Sequence, residues 1–148
     1  MKVENFLANT DFVKLMQKHC FEIIKSLITQ KSEFGVVAKT KFIDFDPPLP
    51  EHLDLKKNPY ALFALAGYTF ESIELNEEQI TFHAGFGLDD FATFVSIDLG
   101  AITQIQIEND VVFVNFSHYE RKKDDKELTQ NSINIFLKNP KNKDSLKK

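Results

Sequence analysis

The residue periodicity of this chain changes once, near Gly35, and does not change back. Upstream, Phe12, Leu15, Met16, Cys20, Ile23, Ile24, Leu27 and Ile28 recur at three- and four-residue spacing, which predicts an amphipathic helix. Thr10 or Asn9 can cap that helix, and Asp11 suits its positive end. Downstream the pattern is that of short strands separated by turn residues.

The strands can be followed in order. "FGVVAKTKFIDF" is rich in β-formers and stops at "DPPLP", where Pro47, Pro48 and Pro50 cannot continue a ladder. "NPYALFALAG" reads as a nearly all-apolar, buried strand. A hairpin then runs through Phe70, Ile73 and Leu75, turns at Asn76–Glu78 and returns through Ile80 and Phe82. In "FATFVSIDL", Phe91, Thr93, Val95 and Ile97 alternate with Ala92, Phe94 and Ser96. "AITQIQI" and "VVFVNF" make a last hairpin around Asn109 and Asp110, offering Ile102, Ile105 and Ile107 to a core. One helix followed by about six short antiparallel strands predicts an α+β fold, a helix packed on a small twisted barrel or sandwich.

Val13 and Phe21 widen the helix stripe beyond what one sheet face would cover. Two readings follow: ordinary core packing at the end of the domain, or contact with a second copy of the chain. At 148 residues and 43% hydrophobic, the chain suits one domain with a substantial core. "MKVENFLANTD" lacks the apolar run of a signal peptide, and no window approaches the length of a membrane span, so a cytoplasmic location without membrane contact is expected. Cys20 is the only cysteine and is read as filling space on the helix.

Charge is unevenly distributed. From Ser117 onward nine Lys or Arg stand against five Asp or Glu, leaving nine against seventeen, about −8, for residues 1–116. An acidic body is repelled by a phosphate backbone, and Arg121 is the only arginine, so nucleic-acid binding by the body is not expected.

No catalytic motif emerges. "GFGLDD" places Asp90 where a dinucleotide fingerprint needs its third glycine, and it leads into a strand instead of a helix. His19, His52, His83 and His118 lack the pair spacing of zinc ligands, and neither "GxSxG" nor "HExxH" occurs. A small-molecule or metal site around His83, Asp89 and Asp90 would have to be assembled by folding, and the two aspartates read more simply as turn residues. Gly85 and Gly87, lacking Cβ atoms, suit either a bulge at a corner or a groove that admits an extended peptide.

"SIELNEEQITFHAGFG", "ATFVSIDLGAITQIQI" and "VVFVNF", taken in order, resemble the stringent starvation protein B (SspB) family, adaptors of the ClpXP protease, over roughly residues 10–118. The family's hairpin, a strand of the "VSVPxAAL" type and a closing strand pair match in order and spacing. The chain departs from that pattern at Gly85, where the family often has a basic residue, at Leu88, where it has a loop glycine, and at Asp98, where it has proline.

The resemblance implies an N-terminal helix on a small Sm-like β-barrel over residues 1–118, followed by a charged tail over 119–148. It implies no catalysis, no cofactor and no metal. It also implies a homodimer built on the helix through Phe12, Met16, Phe21 and Ile24. Degron-bearing polypeptides of the ssrA-tag kind would lie between Ala66–Gly67–Tyr68–Thr69 and His83–Ala84–Gly85–Phe86–Gly87, with Tyr68 or Phe86 as pocket walls. Delivery to ClpX would use an apolar-and-basic tail peptide, for which Ile135, Phe136, Leu137 and Lys138 are the candidates. Two alternatives stand beside that assignment: "INIFLK" as one more strand, and Leu146–Lys148 as the dock. A different function class, a plain interaction module with another peptide or protein ligand, fits the same fold.

Overall fold

A computed structural model of the chain describes residues 1–121; the tail candidates Ile135, Phe136, Leu137, Lys138 and Leu146–Lys148 lie outside the described residues. A short helix, α1 (Val3–Leu7), leads into the long helix α2 (Thr10–Thr29). Asn9 is the N-cap of α2: its side-chain oxygen accepts from the backbone N–H groups of Asp11 at 2.9 Å and Phe12 at 3.3 Å. These bonds satisfy two of the donors that a helix start leaves free.

Among the described residues eight strands follow: β1 (Phe34–Lys39), β2 (Ile43–Asp46), β3 (Tyr60–Leu65), β4 (Glu74–Leu75), β5 (Gln79–Phe86), β6 (Phe91–Asp98), β7 (Ile102–Ile107) and β8 (Asp110–Val114). One short helix, α3 (Gly67–Glu71), interrupts them. They form two antiparallel sheets, ordered β3-β1-β7-β8 and β2-β6-β5-β4. The fold is α+β as expected, with eight strands instead of six, in two separate hydrogen-bonded sheets and not one closed barrel. One of the added strands arises where Thr40–Phe42 winds into a 3-10 turn and splits "FGVVAKTKFIDF" into β1 and β2, one in each sheet. Another 3-10 turn, Leu99–Ala101, carries the chain back from β6 to β7.

The core lies between the sheets and under α2. Cys20, Ile24 and Leu27 of the helix join Val36, Leu65, Ile80, Phe82, Val95, Ile97, Ile102 and Ile105. Each such side chain contributes roughly 2 kcal/mol by leaving water. Met16, Phe21, Ile23 and Ile28 pack half-buried on the two flanks of that buried line. The width of the stripe is thus taken up largely within the protomer, because α2 meets both sheets: His19 lies 5.4 Å from the Phe113 ring, and the Gln17 amide donates to the Glu77 carbonyl at 3.1 Å. Ile24, expected at a dimer interface, is fully buried in the core and has no surface to offer a partner.

Two strand assignments change. "NPYALFALAG" is an edge strand, not a buried one: β3 buries Phe63 and Leu65 but exposes Tyr60, Leu62 and Ala64 on its outer face. The first part of the expected hairpin, Gly67–Glu71, is helical. Gly67, at φ +55°, turns the chain into α3, and Phe70 then packs edge-on against Phe34 instead of extending a hairpin. Among the described residues no helix is long and apolar enough to cross a membrane.

Candidate functional site

The first of the two candidate segments folds as a helical turn rather than a strand. The Gly67 N–H donates to Glu33 Oε2 at 2.6 Å, fixing the start of α3 against the loop before β1. Tyr68 stands out from this turn, 69% exposed, with its ring edge-on to His83 at 5.7 Å. The Thr69 backbone carbonyl accepts from the Ser72 hydroxyl at 2.7 Å.

Ser72 is the hinge between the two segments. The backbone N–H of His83 donates to Ser72 Oγ at 2.9 Å, just past the point where β4 ends its pairing with Thr81. Along an antiparallel strand, the residues that bond to one side alternate. Thr81 meets β4 and His83 meets Ser72, so Gly85 directs its N–H and C=O to the same edge, beyond the reach of β4. That edge offers pairing to an added strand.

The outer face beside this edge is aromatic and acidic. His83 pairs across the sheet with Phe94, ring centroids 4.7 Å apart, and Phe94 is 53% exposed. The Nδ1 atom of His83 is buried with no hydrogen-bond partner among the described residues. Next along the strand, Gly85 pairs with Ala92, and the Asp90 carboxylate lies over Gly85 where a Cβ would be. Asp90 takes the turn conformation expected of it, at φ +49° with its N–H donating to the Gly87 carbonyl at 3.2 Å.

The structure therefore brings Tyr68, His83 and Gly85 together and separates the other candidates from them. Phe86 does not wall a groove: it faces inward, edge-on to Phe45 at 6.0 Å and Phe63 at 6.2 Å. Ala84 packs half-buried against the core by the same alternation. Gly87 is required by its φ of +73° and by Leu53, whose Cδ2 would lie 2.7 Å from an added Cβ. Ala66 precedes the turn as the N-cap of α3. Ser72 and Phe94 were not foreseen, and Asp90 was expected as a turn residue, not as a cover over Gly85. For Phe94 the signal was a bulky aromatic on the polar half of an alternating strand.

A polar cluster closes the opposite end of β6. Asp98, 4% exposed, accepts from Tyr119 Oη at 2.8 Å, from Arg121 Nε at 2.7 Å and from the Gln79 amide at 3.1 Å. Arg121 also bonds Asp44 at 2.7 Å. Hydrogen bonds to Asp98 hold the guanidinium charged even more firmly than usual, while burial and the bond to Asp98 raise the Tyr119 hydroxyl above the ordinary tyrosine range. Asn115 bridges the Gly100 and Ile102 carbonyls on one side and Ser117 on the other. The chain past β8 is thus fastened to the body through Arg121, so the expected domain boundary at 118 falls inside a fastened stretch.

Among the described residues no group of three or more His, Cys, Asp or Glu side chains is placed to hold a metal ion. A shallow depression of about 250 Å³ lies elsewhere, on the outer surface of α2 beside Glu22, Lys25 and Gln30. No protein-family model matches this chain, and no curated protein is a significant match to it.

Proposed function

We propose that this chain is a non-catalytic proteolysis adaptor that holds a degron peptide against the β5 edge and delivers the tagged substrate to ClpXP. The observation that carries the reading is the edge at Gly85, outside the reach of β4 and flanked by Tyr68, His83 and Phe94. Backbone pairing at such an edge gives affinity, and side-chain contacts on the adjoining face give selectivity. The resemblance to the SspB family supplies the rest: an Sm-like barrel as the description of the two sheets joined at Thr40–Phe42 and Leu99–Ala101, a cytoplasmic location, and ClpX as the partner.

The homodimer in this reading uses the apolar surface remaining at the start of the helices. The Phe6 and Phe12 rings meet tilted at 4.6 Å, and Leu15 is 60% exposed one turn on. Delivery works by tethering, which raises the local substrate concentration so that modest affinities suffice. Ile135, Phe136, Leu137 and Lys138 are the docking residues in this reading.

Titration of a labelled ssrA-type peptide, followed by anisotropy, tests binding, with saturation expected. Truncation after Ser132 tests delivery: peptide affinity should be unchanged while accelerated degradation of a tagged reporter by ClpXP is lost. A chain that binds no peptide, or whose truncation leaves delivery intact, removes the corresponding half of the proposal.

A further inference from the structure

The face beside the β5 edge has a charge pattern that selects among peptides. Asp46, Phe94 and His83 stand in one row across the second sheet, since Asp46 and His83 are both register partners of Phe94. Tyr68 extends the row beyond His83. The next position along β5 carries the Asp90 carboxylate over Gly85. Exposed aromatic rings thus alternate with carboxylates, and among the described residues no Lys or Arg pairs with Asp46 or Asp90.

The same sheet shows what such an arrangement accepts. Two residues before Asp46, on the same face of β2, Asp44 receives the Arg121 guanidinium, which also lies 5.8 Å from the centroid of the Phe42 ring. There the Asp44 and Asp98 carboxylates hold the cation by charge, and the ring's negative face adds to them. Asp46 beside Phe94 offers the same kinds of group, a carboxylate and a ring, two residues further along the strand.

We propose that the outer face of the second sheet docks an extended, positively charged peptide segment, with a Lys or Arg side chain over Phe94 between Asp46 and His83. The proposal rests on the peptide-binding reading above and adds the chemistry of the ligand. Charge complementarity carries it. The body around the face is itself acidic, about −8 over residues 1–116, so a basic segment is drawn to it at long range as well as at contact. Asp46 and Asp90 repel a segment rich in Asp or Glu at the same place.

The test uses the full chain and three labelled peptides of one length in which threonine alternates with lysine, with glutamine or with glutamate. The lysine peptide is expected to bind about tenfold more tightly than the glutamine peptide, a difference of about 1.4 kcal/mol, and to lose that advantage as salt is raised. Asp46→Asn should reduce the preference for lysine while leaving the glutamine peptide's affinity and the melting temperature nearly unchanged, and Phe94→Ala should weaken the lysine peptide more than the glutamine peptide. Equal binding of all three peptides, or preference for glutamate, overturns the inference and leaves the peptide-binding reading standing. If none of the three binds while the ssrA-type peptide does, the inference again fails alone; if no peptide binds, both fail. Shifts in the Phe94 and Asp46 amide resonances on replacing Lys122 and Lys123 with Gln in the peptide-free chain would assign the face to the chain's own basic segment and overturn the proposal.

Discussion

The Asp90 carboxylate rests against Gly85, in the space that a side chain at position 85 would need; an added Cβ would lie 2.7 Å from Asp90 Cγ. A glycine that suggests room for an incoming backbone is, on this face, covered by the chain's own turn. Gly85→Ala is expected to lower stability by about 1 to 2 kcal/mol through crowding. Asp90→Gly in the same chain should recover most of that, since it removes the carboxylate and suits the φ of +49°. Urea denaturation of the two single variants and the double variant measures the coupling. Additive effects would show that the two residues do not meet. With Asp90→Gly in place, Gly85→Val should still weaken an edge-bound peptide by tenfold or more, about 1.4 kcal/mol.

Asp98 is nearly buried and charged, and its neighbours are built around that charge. Asp98→Asn keeps the shape but leaves Arg121 and Tyr119 without their ionised acceptor. It should destabilise the fold by on the order of 2 kcal/mol, discounted from a fully buried pair because the Arg121 side chain is 40% exposed. Arg121→Lys should not substitute for the arginine, as an ammonium cannot bond Asp98 and Asp44 with one planar fork. Chemical denaturation and proteolysis near residue 121 would read both effects, and a wild-type curve for Asp98→Asn would discard this account.

Burial pushes the Cys20 thiol from 9.0 up to about 12, because the thiolate would lose its water inside the core. The folded chain therefore keeps this proton to higher pH than the unfolded chain does. Stability from this source is complete below pH 9 and is lost as pH rises toward 12. Tyr119 adds a loss of the same sign above its ordinary value of 10.0. Melting temperatures across the alkaline range should fall less steeply in Cys20→Ala than in the parent chain, from a lower starting value caused by the cavity. Native Cys20 should also resist alkylation at pH 8. Rapid labelling of the folded protein there would contradict its burial.

The helix surface separates core from interface. Ile24→Glu should prevent folding, because it places a charge among fully buried side chains. Leu15→Glu should leave the melting temperature almost unchanged and, if α1 and the first turns of α2 form the dimer contact, convert dimers into monomers in sedimentation analysis. A dimer that survives this change uses another surface.

The periodic parts of the fold were legible in the sequence: the cap at Asn9, the helix stripe, the alternation in β6 and the hairpin turn before β8 all follow from local spacing. What escaped depends on tertiary placement. β3 lies at the end of its sheet and leaves one face open, and a run such as "YALFAL" carries no mark of either. The helical turn at Gly67–Glu71 was hidden because its support, the bond to Glu33, comes from 34 residues away. At the site, Tyr68, His83 and Gly85 could be named from residue type, whereas the inward turn of Phe86 required the strand register. Asp98 looked only like a replaced proline; its partners Tyr119 and Arg121 lie more than twenty residues downstream.

The fastening at Arg121 also decides where mechanical load enters the molecule. If β8 simply ran out into the tail, a pull on the chain beyond residue 121 would peel that edge strand from β7 one hydrogen bond at a time. Instead the load meets the Tyr119 ring seated on Gly100 and a guanidinium gripped by Asp98 and Asp44, contacts on β6 and β2 of the other sheet. Force is shared across a cluster that must break together, so an unfolding machine tugging on the tail strains this knot before it reaches the β7–β8 hairpin.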